Sequence, residues 1–325
     1  MRRACLVAAL SGALALGSAP AAPVVAAAGF TTSMEVFEPG GTIHRAMVTR
    51  PAGDRAAARI ARPAQVIPIE TNGPSDTTFD LVVVGDGYTA GEMSTFSGHV
   101  RAAVDALFSV EPYKSYRKQF NIWQVDVVSP QSGITNDPTQ GVQRNTALGS
   151  YFWCGGIERL LCTDETKANQ YAAAAPDVDQ VLVLANSTKY GGAGGGVATA
   201  SGGNGQSTQI VEHELGHSIG GLADEYDYGD CDPAEPTKPN ASALTADRMR
   251  ARQAKWYRYL GRPSPDGGTV GAYQGSRYCR TGMYRPSQNS IMRTLGQPFN
   301  PPSTDAMIAG FYREAPNRAP HRQVG

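Results

Sequence analysis

Two histidines four residues apart, with a glutamate directly after the first, are the strongest chemical signal in this chain: His213-Glu214-Leu215-Gly216-His217. On a helix, residues at that spacing project from one face about a turn apart. Two imidazole nitrogens so placed can share one zinc ion at about 2.0–2.1 Å. Glu214 stands beside the first histidine, placed to contact a zinc-bound water rather than the ion. Zinc lowers the pKa of such a water to about 7, and a carboxylate can take its proton as the water attacks a carbonyl. The helix is expected to open at Ser207 as N-cap, to carry Ile210, Leu215 and Ile219 on an apolar side, and to end at Gly220-Gly221. The bland alternative, two solvated histidines on an exposed helix, fits that apolar side poorly.

A catalytic zinc needs a third protein ligand and an open position. The chain has 5 histidines, and His44, His99 and His321 do not lie close downstream of the helix. The nearby carboxylates are Asp224 and Glu225. In the arrangement His-Glu-x-x-His-x-x-Gly-x-x-(His or Asp), Gly220 takes the glycine place, but the last place falls on Ala223. Asp224 comes one residue later, and an unusual backbone conformation at Gly221 would absorb the extra residue. Asp224 is the favoured ligand and Glu225 its rival. Asp227, Asp230 and Asp232 extend the acidity and read as a solvated loop.

These residues need a scaffold, and the preceding sequence supplies one. The apolar, β-branched run Phe79–Val84 stops at Gly85-Asp86-Gly87 and reads as a buried strand. Residues 91–110 follow with Met93, Phe96, Val100, Val104, Leu107 and Phe108 at helical spacing. Strands are expected at Phe120–Val128 and Gln180–Leu184, with a helix over Ile157–Ala174 between them. Strand and helix alternate, so the fold class is α/β with a mainly parallel twisted sheet. The glycine-rich segment Tyr190–Gly205 cannot be a stable helix. Within it Val197–Ala200 reads either as a short edge strand, beside which an extended peptide could lie, or as part of a flexible loop.

Lys+Arg and Asp+Glu are 29 each, so no basic surplus is available to neutralise a nucleic-acid backbone. No apolar run beyond the amino terminus is long enough to span a membrane. Met1-Arg2-Arg3, the apolar run Leu6–Leu16 and the small residues Ala26-Ala27-Ala28 follow the order of a secretory signal peptide over residues 1–28. Its removal leaves Cys154, Cys162, Cys231 and Cys279, an even set suited to an oxidising compartment. Of the three pairings, Cys154–Cys162 with Cys231–Cys279 is the most local. Residues 29–75, with Pro51, Pro63, Pro68 and Pro74, read as an extended lead-in or a few strands before a domain over 76–325. They contain no cysteine, so any inhibitory role would need another ligand.

Several segments together resemble the IgA-peptidase family of bacterial zinc metallopeptidases. They are Asp80–Thr89, Phe120–Trp123 with Ser129–Gly133, His213–Tyr226, and Gly282–Pro286 through Met292-Arg293. The resemblance implies a secreted zinc endopeptidase on a metzincin-like scaffold, with His213 and His217 as zinc ligands and Glu214 as catalytic base. In metzincin-type peptidases a methionine in a tight turn floors the metal site, and Met292 fits that Met-turn role. Tyr284 and Arg293 are candidate donors to the developing oxyanion. Nothing in these residues points to immunoglobulin A as substrate.

The sequence thus predicts a secreted monomeric zinc endopeptidase with a protein or peptide substrate, no nucleic-acid partner and no membrane span. Its rivals are a catalytically silent extracellular binding protein on the same scaffold and a zinc amidase acting on cell-wall material. The intact Glu214 argues against the first, and the glycine-rich edge against the second.

Overall fold

The computed structural model describes residues 29–50, 64–228 and 231–313. The signal-peptide assignment, Cys5, Asp230 and His321 lie outside the described residues. The strands are β1 (Phe30–Phe37), β2 (Ile43–Arg50), β3 (Gln65–Glu70), β4 (Phe79–Asp86), β5 (Phe120–Asp126), β6 (Gln180–Ala185), β7 (Gly192–Ala193), β8 (Ala198–Ser201), β9 (Tyr273–Ser276) and β10 (Cys279–Arg285). The helices are α1 (Met93–Leu107), α2 (Tyr113–Tyr116), α3 (Glu165–Ala172), α4 (Thr208–Ser218), α5 (Ala246–Arg252) and α6 (Pro301–Phe311).

A six-stranded sheet of order β3-β5-β4-β6-β8-β7 forms the centre. β5, β4, β6 and β8 run parallel, and the outer strands β3 and β7 are antiparallel to their neighbours. All of β4 is buried, as an apolar run covered on both faces requires. Phe79, Leu81 and Val83 pack with Phe96, Val100 and Val104 of α1, Ile210 and Leu215 of α4, and Phe311 of α6. Val82 and Val84 face the other way, onto Ala168 and Ala172 of α3. The result is a mixed α/β architecture with helices on both faces.

Three local features differ from expectation. Val197–Ala200 does not form the sheet edge, because β7 pairs outside β8. The helix before β6 is only α3, since the Cys154–Cys162 disulfide and short bridges hold the preceding residues in a folded loop. Asp164 then caps α3 by accepting from the Lys167 N–H. Ser207 is not a side-chain cap either: it lies in a 3₁₀ turn whose cap is Asn204, and its hydroxyl accepts from the Gly191 N–H at 3.3 Å. The second disulfide joins Cys231 to Cys279. Among the described residues no helix is long and apolar enough to cross a membrane.

The buried Asp86 at the end of β4 organises the loop that follows β5. One carboxylate oxygen accepts from Ser129 Oγ and the Leu148 N–H, the other from Thr146 Oγ1 and the Ser150 N–H. The first two strands form a separate antiparallel hairpin, pairing Phe30 with Arg50 through to Phe37 with Ile43. It docks on the body through the Leu295 N–H to the Gly41 carbonyl (2.9 Å) and through Met34, which packs with Cys154, Leu160 and Ala193. β3 is part of the central sheet, so the sheet draws on residues before 76.

Candidate metal centre

α4 follows β8 and lies against the central sheet, which carries His213 and His217 to the end of the cleft beside the glycine-rich strands. Both rings are oriented by backbone carbonyls. His213 Nδ1 lies 3.0 Å from the Ile291 carbonyl, and His217 Nδ1 lies 3.0 Å from that of Leu222. A carbonyl only accepts, so each Nδ1 carries a proton and each ring, when neutral, presents a bare Nε2. The two Nε2 atoms face one another at 3.1 Å.

The helix ends as the glycine pair suggests. Gly221 takes φ +60°, a left-handed conformation that suits glycine, and the Leu222 N–H returns to the Gly216 carbonyl. This turn swings Asp224 back over the helix. Asp224 Oδ1 lies 3.1 Å from His217 Nε2 and 3.5 Å from His213 Nε2. Its other oxygen accepts from the Tyr278 hydroxyl, which in turn accepts from Arg45 at 2.7 Å.

Glu225 goes elsewhere. It is fully buried, with one oxygen accepting from Asn240 and Asn300 and the other from Ser290. This network ties the segment after α4 to the turn at 290–294 and to the start of α6. Met292 in that turn is buried, and its carbonyl accepts from the Glu225 N–H at 2.7 Å. Its sulfur packs against Gly216, where a Cβ would come within 2.7 Å.

A fourth ligand-type residue comes from the hairpin, where no motif or spacing points to it. Glu35 Oε2 lies 3.1 Å from His213 Nε2 and 3.7 Å from His217 Nε2, and Oε1 accepts from Tyr226 at 2.5 Å. The ligand atoms of Glu35, His213, His217 and Asp224 all lie within 4.8 Å of one another. Phe37, two residues along the strand, sets its ring edge-on to His213 at 5.4 Å.

Glu214 sits at the rim of the cluster. A Cβ on Gly194 would overlap its carboxylate, and its Oε1 has no hydrogen-bond partner. Burial, reinforced by the charge of Glu35, pushes its carboxyl up to about 7. Together with His217, Asp224, Tyr278 and Gly194–Gly196 it lines a cavity of about 500 Å³. A larger, mainly apolar cavity of about 860 Å³ lies on another face of α4, lined by Gln209, Glu212 and Phe299, and contains none of the four clustered residues.

The donor set fits a divalent cation. With both histidines neutral, two carboxylates bring two negative charges into a buried space, and two imidazole lone pairs point at each other. Asp224 Oδ1 has no hydrogen bond of sound geometry despite its burial. Such an arrangement is stable only around a shared positive charge. In its absence protons take that part. Burial opposes a charged His213, but Asp224 and Glu35 outweigh it and carry the ring up to about 10. His217 is raised likewise, with Asp224 the main opposing influence to burial.

The other sequence candidates lie outside the cluster. Tyr284 is on β10, its backbone paired with Ser242 and Gln274, and it does not line the cavity that Tyr278 lines. Arg293 is engaged with the Glu225 carbonyl and Asp227. His99 bonds Tyr88 and His44 lies near Glu38, both away from the cluster.

The sequence profile of the IgA Peptidase M64 family matches residues 67–266 and 260–311. The chain belongs to that family. As a member of the IgA peptidase M64 family it is a peptidase, and its substrate is protein or peptide. The matched residues include His213, Glu214, His217, Asp224 and Met292, whereas Glu35 lies before them. No curated protein matches the chain.

Proposed function

We propose that this family member is a secreted zinc endopeptidase, with His213, His217 and Asp224 holding the metal and Glu214 acting as the catalytic base. The convergence of two oriented Nε2 atoms and Asp224 Oδ1, beside the unpaired carboxylate of Glu214, carries this reading. The donor chemistry of two imidazoles and a carboxylate suits zinc. When bound, zinc supplies Lewis acidity, polarising a carbonyl and making water a better acid.

The residues then divide the work. Glu214 accepts a proton from the attacking water and passes it to the leaving amine, a role its position beside the two histidines and its unpaired oxygen suit. The Ile291 and Leu222 carbonyls hold the two rings in the tautomer that leaves Nε2 free. Met292 forms the apolar floor beneath α4, the part a Met-turn plays in a metzincin-like site. Tyr278 lines the cavity and Tyr284 does not, and the one hydroxyl proton of Tyr278 goes to Asp224, so Tyr278 orients that ligand. The substrate runs extended along Gly192–Gly196, where the absence of side chains lets a peptide backbone approach. The basic, apolar and small order of residues 1–28, with two disulfides in the body, supports export.

Metal analysis of the purified protein is expected to give about one zinc per chain, with casein cleavage lost on chelation. Glu214→Gln is expected to keep the metal and lose most turnover. Cleavage by zinc-free protein, or near-normal turnover in Glu214→Gln, would overturn the mechanism.

A further inference from the structure

The β1–β2 hairpin forms one wall of the cavity beside the cluster and carries Glu35 onto it. Resting on the metal reading above, we propose that the hairpin is a built-in plug and that Glu35 occupies the coordination position a working site keeps open.

Three observations carry this. First, ligand count: His213, His217 and Asp224 make a three-residue set, and a catalytic zinc combines such a set with an exchangeable position. Glu35 Oε2, at 3.1 Å from His213 Nε2, makes the set four and closes it. Second, placement: β1 and β2 pair only with each other, outside the central sheet. Glu35, Thr32 and Ser33 share the lining of one cavity with Gly194–Gly196 and Glu214, so the hairpin walls the channel proposed for the peptide and brings Glu35 to its metal-binding end. Third, origin: the three-residue set lies within the residues matched by the family profile, and the hairpin lies outside them. The profile therefore covers the three-residue set and not Glu35.

The seat is firm. Phe37 and Ile43 are buried in the main core, and Arg50 bridges to Glu165 at 2.8 Å and to the Thr163 carbonyl at 2.9 Å. Arg45 reaches across to Tyr278, the partner of Asp224. The intact chain therefore spends little time open, and external ligands meet a site whose competent fraction is small.

The test uses the full chain loaded with Co(II), whose visible bands report its coordination, titrated with acetohydroxamate as an exogenous metal ligand. Wild type, Glu35→Ala and Glu35→Gln are compared, the last keeping the side-chain shape should the alanine variant fail to fold. Glu35→Ala is expected to retain one Co(II) and to bind acetohydroxamate about ten-fold or more tightly than wild type, with Glu35→Gln shifted in the same direction. Equal hydroxamate affinity in all three proteins would overturn the proposal. So would loss of Co(II) from both variants, because Glu35 would then be needed to hold the metal. Protein that binds Co(II) and shows the hydroxamate difference but cleaves no peptide would refute the peptidase mechanism and leave the plug standing. Wild type that binds no Co(II) would remove the metal reading and the plug with it.

Discussion

The carboxylate of Glu214 lies where a side chain on residue 194 would begin. Glycine at that position is what gives the proposed base its place between α4 and the strand-forming segment. Gly194→Ala would push the carboxylate aside without touching His213, His217 or Asp224. Metal content is expected to stay near wild type while kcat falls about ten-fold or more, since small displacements of a catalytic group are costly. Metal analysis and kinetics on the same preparation check this, and unchanged kcat would mean that Glu214 has another place to stand.

Asp224 and Glu225 are neighbours with different tasks, and alanine at each should separate them. Asp224→Ala is expected to weaken zinc binding about 100-fold or more with the fold preserved. Glu225→Ala strands Asn240, Asn300 and Ser290, three buried partners. It should lower stability by about 3 kcal/mol. Zinc titration and urea unfolding of both variants distinguish the two effects. A larger metal loss in Glu225→Ala than in Asp224→Ala would reverse the assignment.

Glu92 gives a pH-dependent prediction away from the metal. Burial acts against its charge, but the Ser132 hydroxyl, Thr89 and Asn186 outweigh it and hold the carboxyl down at about 2, from 4.5. A folded value below the unfolded one means that the contribution is complete above pH 4.5 and fades as pH falls toward 2. Because the group is half-exposed, solvent screening holds that contribution near 1 kcal/mol, not the ~3 kcal/mol of the bare shift. Glu92→Gln should therefore shift the urea midpoint downward at neutral pH and progressively less in acid. A gap that widens in acid would contradict the sign.

Much of the fold was readable because its signals are local. β4 announces itself as an unbroken apolar run, and α1 shows its inward face at Phe96, Val100 and Val104. His213, His217 and Asp224 fall within one helix and the turn after it, and the left-handed Gly221 absorbs the one residue by which Asp224 departs from the usual spacing. Glu35 is different. It lies 178 residues before His213, on a strand where one glutamate among alternating residues carries no pattern. Tyr278 was missed for a related reason: the approach of β9 and β10 to Asp224 is tertiary, and Tyr284 is an equally plausible tyrosine on sequence alone. The helix expected from Ile157 was shortened by the Cys154–Cys162 link, a constraint that periodicity does not register. Ser207 had the right chemistry for a cap, but the chain was already turning before it, in the 3₁₀ turn that Asn204 caps.

Cys279 follows Tyr278 directly, and its bond to Cys231 pins the backbone from which that phenol reaches Asp224. A reductant would be felt at the ligand shell without ever meeting the ion. Cutting this one sulfur link removes a covalent restraint on the tyrosine that aims Asp224 and leaves it to the Tyr226 carbonyl and Arg45.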